Sequence, residues 1–271
     1  MPELIFIRVR LASVDSTTLR SLIVLVYYLN MSDEDISAEA YEWVKTNSAV
    51  LIDAIAGRYL DREEGRVSVF MAGAPGAGKT EFSRCLIRDR FGLDTTLIVR
   101  IDPDEIRMQI PTYIQGKAEL FNRATNKGVE LLVDHCFDRK LDKSFLLDGT
   151  LSNSEIARKN IDRALDRGRK VLIYFVYKDP IIAWDFTQKR EKIEGRNIPK
   201  ESFVNQYFGS IETINLLKGE YGKQIQIDLV QLAAPNSDNP HITDYKFKFN
   251  ISNVDGYIKT RYSKNQLMDL L

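Results

Sequence analysis

Three observations predict an α/β fold: a parallel sheet of about five strands flanked by helices, preceded by an N-terminal helical segment. Short apolar runs alternate with stretches of helical periodicity. The runs are continuous rather than alternating in polarity, as strands covered on both faces are. One of them feeds a glycine-rich turn that opens directly into a helix, Gly73 to Thr80. With 271 residues, 44% of them hydrophobic, the chain can bury a sizeable core without disulfide or metal staples.

Residues 4–30 hold two apolar runs, LIFI and SLIVLVYYL, broken by Arg8, Arg10, Asp15 and Arg20. Neither reaches the roughly 20 apolar residues of a membrane span, and no small-x-small cleavage site follows. Met31 is an alternative start, and 15–30 reads as a further helix. From Ser32 the pattern turns helical: Val44, Leu51, Ile52, Ile55 and Leu60 recur on one face behind acidic Asp33 to Asp35. A charged break at Arg62 to Arg66 closes a leader of 1–64, and a domain of 65–271 follows.

VSVFMAG (67–73) is the first strand, with a helix from about Lys79 to Asp89. LIVRID (97–102) is the second strand, and a long helix over about 118–138 follows it. FLLDGT (145–150) is the third; Ser152 with Glu155 has the capping-box spacing for a helix that Gly168 closes. VLIYFVY (171–177) is the fourth, and Asp179-Pro180 caps the next helix. IQIDLV (225–230) is the fifth. Residues 233–244 read as a loop, and alternating Tyr245, Phe247, Phe249 and Ile251 suggest a late antiparallel edge strand.

Composition excludes several functions. Equal counts of basic and acidic residues, 38 each, argue against a nucleic-acid binder. Cys85 and Cys136 suit inert thiols in a reducing, cytoplasmic compartment, and isolated His135 and His241 speak against a histidine metal centre.

Gly73-Ala74-Pro75-Gly76-Ala77-Gly78-Lys79-Thr80 fits G-x-x-x-x-G-K-[ST] in full. Glycines let backbone amides turn inward around phosphates, Lys79 reaches the β and γ oxygens, and the Thr80 hydroxyl ligates Mg²⁺. A chance match arises in roughly one chain in a hundred of this length, and here the strand and helix context agrees. Asp102 and Asp104 end the second strand, where a carboxylate can take a proton from an attacking hydroxyl; capping a short helix is the competing reading. Asp148 and Thr150 end the third strand; Asp148 can hold Mg²⁺ through water or orient substrate, or simply make a turn. Arg190 shares a helical stripe with Ile182, Phe186 and Ile193, and Arg196 follows in a turn, so the two can clamp a transferring phosphoryl group.

GAPGAGKT, IDPDEIR with Pro-Thr-Tyr after it, LLDGT, and the helix of Arg190 with the Arg196-Asn-Ile-Pro199 turn together resemble the zeta toxin family over about 65–230. The resemblance implies a P-loop kinase-type fold, ATP and Mg²⁺. It also implies phosphorylation of a sugar hydroxyl of UDP-N-acetylglucosamine or a related UDP-sugar, which blocks cell-wall precursor synthesis. By motif position Asp104 is the general base, Glu130 and Thr150 contact substrate, and Lys79, Arg190 and Arg196 bind phosphate. Asp148 departs from the glutamate expected there, which shortens that contact or routes it through water. A separate small helical antitoxin commonly blocks the ATP site in the family. Residues 1–64 are therefore read either as an antitoxin-like cap in cis or as helices packed as ordinary structure. Other acceptors (a nucleoside, a dinucleotide, an antibiotic) and a non-transferring nucleotide switch are the alternatives.

Overall fold

The computed structural model describes residues 31–59, 66–90, 97–194, 197–232, 245–258 and 262–271. The expected helix in 15–30, the 233–244 loop and Arg196 lie outside the described residues.

Two helices open the described chain, α1 (Asp33–Thr46) and α2 (Ser48–Ala56). Ser32 caps α1 by accepting from the Asp35 amide at 3.1 Å, and three acids fill its first turn, where the helix dipole favours them. Then come β1 (Val67–Ala72), α3 (Lys79–Arg90), β2 (Val99–Ile101), α4 (Pro103–Gln109), α5 (Asn122–Cys136) and β3 (Phe145–Leu147). They are followed by α6 (Ser154–Leu165), β4 (Lys170–Tyr177), α7 (Pro180–Glu194), α8 (Lys200–Tyr221), β5 (Ile225–Leu232), β6 (Tyr245–Lys248) and α9 (Lys264–Leu270).

The strand order is β2-β3-β1-β4-β5-β6. The first five run parallel, with Phe70 opposite both Leu147 and Ile173, and β6 pairs antiparallel to β5. The five-strand expectation thus becomes six among the described residues, the sixth being the anticipated edge.

Alternate β1 side chains feed two cores. Phe70 and Ala72 point into the larger one, with Phe145, Ile173, Phe203 and Ile214. Val69 and Met71 face the smaller one, where Phe82, Leu86 and Ile87 of α3 meet Leu146 and Tyr174. Phe82 also touches Tyr245 and Phe247 of β6, at ring separations of 5.1 and 5.8 Å.

The two consecutive helices α1 and α2, joined at Asn47, share the larger core. Ile36, Ala40, Val44, Leu51 and Ile55 are buried there, and the pair packs on α5, α4 and β2. Gly128 of α5 makes this approach possible: a Cβ on it would lie 2.6 Å from Ile106 Cγ2 and 3.1 Å from Leu51 Cδ2.

Two local expectations are corrected. The cap of α6 is Asn153, which accepts from the Ile156 amide at 3.0 Å, while Ser152 instead pairs its hydroxyl with Thr150. The Ile182, Phe186 and Ile193 stripe of α7 does not face the core; Ile193 is 79% exposed, and Pro180, Ala183 and Thr187 are buried instead. Ile182, Phe186 and Arg190 of this stripe line a cleft instead, and Ile193 lies outside it.

Candidate functional site: a phosphate loop facing an acidic strand end

The loop after β1 folds as its glycines require. Gly73, Gly76 and Gly78 have φ of 127°, 72° and 92°, a region closed to most side chains. Gly76 lies so close to α7 that a Cβ would fall 2.1 Å from the Ala183 carbonyl. The Gly73 amide donates to the Thr150 carbonyl at 3.1 Å, tying the loop to the end of β3. Lys79 bends back over the loop and donates to the carbonyls of Gly73 and Ala74, at 3.0 and 2.6 Å. Pro75, Gly76, Gly78, Lys79 and Thr80 line the adjoining cleft, whereas Ala74 and Ala77 are buried beneath it.

The cleft has a volume of about 950 Å³. It lies at the carboxyl ends of the parallel strands, where open α/β sheets bind ligands. Asp102 and Asp104 enter it from the end of β2, Asp148 and Thr150 from the end of β3, and Thr187 and Arg190 from α7. Asn122, Thr125 and Asn126 of α5 wall one side; Lys178, Phe186 and Lys246 are on its border too.

A buried charge cluster holds the strand ends together. Arg100, in the middle of β2, donates to Asp102 at 2.5 Å, to Asp148 at 2.7 Å and to Glu105 at 2.5 Å. Ser83 of the phosphate-loop helix donates to the same Asp148 oxygen at 2.8 Å. Burial pulls the Arg100 guanidinium down, but Asp102 and Asp148 outweigh it and leave its pKa raised. Burial likewise pushes the Asp102 carboxyl above the ordinary aspartate value, with Arg100 opposing the rise. Asp102 also caps α4, accepting from the Asp104 amide at 2.9 Å. Asp102 therefore caps α4 while still lining the cleft, and Asp104, 28% exposed against 8% for Asp102, is the more open of the two carboxylates.

Asp104 sits between two guanidinia, Arg107 at 2.6 Å and Arg190 at 3.9 Å. Glu130 is not brought to this site: it is 49% exposed, pairs with Lys127 at 2.9 Å, and the cleft-facing residues of its helix are Asn122, Thr125, Asn126 and Val129. The expected substrate contact is corrected accordingly; the helix turns Glu130 outward and Val129 inward. No residue of 31–59 borders the cleft either, so the described part of the leader is not a cap over it.

The oxygen donors suit Mg²⁺. Thr80 and Asp148 both line the cleft, and Ser83 and Arg100 occupy one Asp148 oxygen, leaving the other for a water-mediated contact. Among the described residues no three metal-ligating side chains cluster, so such an ion would take most of its ligands from phosphate oxygens and water.

Sequence reasoning missed Arg100, although a lone arginine inside the apolar run LIVRID was the available signal, and it gave Arg107 no role.

A family model described as Zeta toxin matches residues 52–244. Among solved structures, one from a molecular and structural characterization of the PezAT chromosomal toxin-antitoxin system of the human pathogen Streptococcus pneumoniae aligns at 20% identity and TM-score 0.56. That alignment covers 74% of this chain and 80% of that one. AvrRxo1-ORF1:-ORF2 with ATP aligns at 13% identity and TM-score 0.52, covering 91% of this chain and 77% of that one. The form with sulphate ions aligns at 14% identity with the same TM-score and coverage. At such identities these likenesses show the fold. No curated protein sequence matches. Among the described residues no helix is long and apolar enough to cross a membrane.

Proposed function

Because this chain belongs to the zeta toxin family, we propose that it is an ATP- and Mg²⁺-dependent kinase. Its acceptor is the sugar hydroxyl of UDP-N-acetylglucosamine or a related UDP-sugar. The observation that carries this reading is the placement of Asp104 in one cleft with the phosphate loop and Arg190. A switch needs a water-positioning residue, whereas a carboxylate in the same cleft as the phosphate loop can take the proton of an attacking hydroxyl.

Asp104 takes the proton of the attacking hydroxyl, and Lys79 leaves its loop carbonyls for the nucleotide phosphates. Arg190 neutralises charge that develops on the transferring group. Thr80 and Asp148 would hold Mg²⁺, which when bound screens the phosphate charge. Arg196 joins Arg190 in this role, and Thr150 contacts the sugar nucleotide. An antitoxin partner is part of the proposal; the likeness to a structure from a toxin-antitoxin system supports it. The setting is cytoplasmic, where ATP and UDP-sugars are found, and the consequence is a block in cell-wall precursor synthesis.

The test measures ATP consumption with and without UDP-N-acetylglucosamine, with mass spectrometry of the sugar nucleotide. Acceptor-dependent turnover and a phosphorylated product are expected. Turnover indifferent to the acceptor would refute the kinase reading. Asp104→Asn should abolish transfer while ATP still binds; retained transfer would remove Asp104 as the base.

A further inference from the structure

The wall of the cleft formed by α4 and α5 contains buried polar atoms that the mechanism above leaves unused. Arg107 of α4 lines the cleft and is 6% exposed. Its Nη1 donates to Asp104 at 2.6 Å, and its buried Nε meets no acceptor among the described residues. On α5, which packs against α4, Thr125 also lines the cleft, is 1% exposed, and has a hydroxyl with no partner among the described residues. Asn122 and Asn126 lie one turn apart on the same face of α5, and both reach the cleft.

A guanidinium carries five donors and stays charged, and leaving buried donors unmet is costly. Pairing with Asp104 uses Nη1 alone. The Nε–Nη2 edge, the fork that matches two oxygens of a phosphate, is not used by that contact. The Thr125 hydroxyl adds one more donor, and two neutral amides accept or donate as a polar ligand demands.

We propose that Arg107 and Thr125, flanked by Asn122 and Asn126, form a subsite for an anionic, phosphate-like group carried by the acceptor. This rests on the kinase reading above, and it assigns the acceptor's anion to a place distinct from the phosphate loop. In this arrangement Asp104 stands between the two guanidinia, Arg190 towards the transferring group and Arg107 towards the acceptor. Arg107 keeps its Nη1 contact with Asp104 while its other edge docks the anion. The base and the acceptor are thereby held by one side chain.

The test uses the full chain with its phosphate loop saturated by Mg²⁺ and a non-hydrolysable ATP analogue, titrated calorimetrically with inorganic pyrophosphate. The wild-type protein should bind pyrophosphate under these conditions. Arg107→Gln should weaken that binding by about tenfold or more, Thr125→Val by a few-fold, and Arg107→Lys should keep part of it. No pyrophosphate binding to the loaded protein, or wild-type affinity in both Arg107→Gln and Thr125→Val, overturns the proposal. If Arg107→Gln lacks a cooperative thermal transition, Thr125→Val and Arg107→Lys decide; wild-type affinity in both overturns it. With UDP-N-acetylglucosamine as acceptor, Arg107→Lys should raise the acceptor KM and leave the ATP KM unchanged. A lower kcat at unchanged acceptor KM would instead reassign Arg107 to holding Asp104. Arg107-dependent pyrophosphate binding without UDP-sugar-dependent turnover would support the subsite and sink only the UDP-sugar reading.

Discussion

Replacing Arg100 with methionine removes a cation that Asp102, Asp148 and Glu105 share. The side chains of Arg100, Asp102 and Asp148 are 7%, 8% and 3% exposed, so two carboxylates would be left charged in a dry setting. Breaking such a buried pair costs about 3–5 kcal/mol. Glu105 is 39% exposed, and its share is screened to about 1 kcal/mol or less. Against a total stability of about 5–15 kcal/mol, the variant should lose at least about a fifth. At about 2–4 °C per kcal/mol for a domain of this size, its thermal midpoint should fall by about 6–20 °C. Urea denaturation of wild type, Arg100→Met, Asp102→Asn/Asp148→Asn and the triple variant separates the charge effect from lost packing. Most of the cost should vanish in the doubly neutralised background, because no orphaned carboxylate remains. A loss below about 1 kcal/mol, or the same loss in both backgrounds, would refute the reasoning.

Three further outcomes are expected. Gly76→Ala must place a Cβ 2.1 Å from the Ala183 carbonyl and 2.6 Å from the Thr187 hydroxyl at a φ of 72°, so ATP affinity should fall by more than about tenfold in calorimetry. Gly149→Ala meets nothing within 4 Å and should leave the thermal midpoint in place; equal effects would deny the loop its tight fit. Asp102 has its carboxyl raised by burial above the ordinary 3.8, so the folded state holds that proton more tightly than the unfolded chain. Stability from this group is therefore lost as pH rises through that window, and Asp102→Asn should gain on wild type from about pH 4 upward in urea midpoints. A gap that narrows with rising pH would contradict the assignment. Leu51→Ala, at a fully buried position of α2, should cost about 2–5 kcal/mol. A leader that merely rests on the kinase would leave global unfolding unchanged.

The sheet was legible because β3 and β4 from Val171 onward are unbroken apolar runs and β1 is interrupted only by Ser68, and the phosphate loop because only certain residues satisfy its geometry. The strand ends were legible as well: the switch from apolar strand to acid marks where Asp102, Asp104 and Asp148 emerge. What periodicity could not tell was which apolar stripe faces a core and which faces a cleft. On α7 the exposed Ile182 and Phe186 look like any buried pair until the fold is known. Glu130 shows the converse, since one residue of helical phase separates a cleft-facing side chain from a solvated one. The Asn153 cap was displaced by one position because Ser152 is taken by Thr150. Arg100 went unread because its partners arrive from three separate elements.

The ring cluster around Phe82 gives the molecule a timing constraint. The helix that follows the phosphate loop is made early, yet Tyr245 and Phe247, which cover Phe82, are synthesised only after all five parallel strands. Until they arrive, the smaller core stays open to water on one side and β5 presents an unpaired edge. A nascent chain can thus carry every residue of the loop and both acidic strand ends while this layer is unsealed. Interrupted translation products that stop short of β6 would be poorly stable and open to proteolysis.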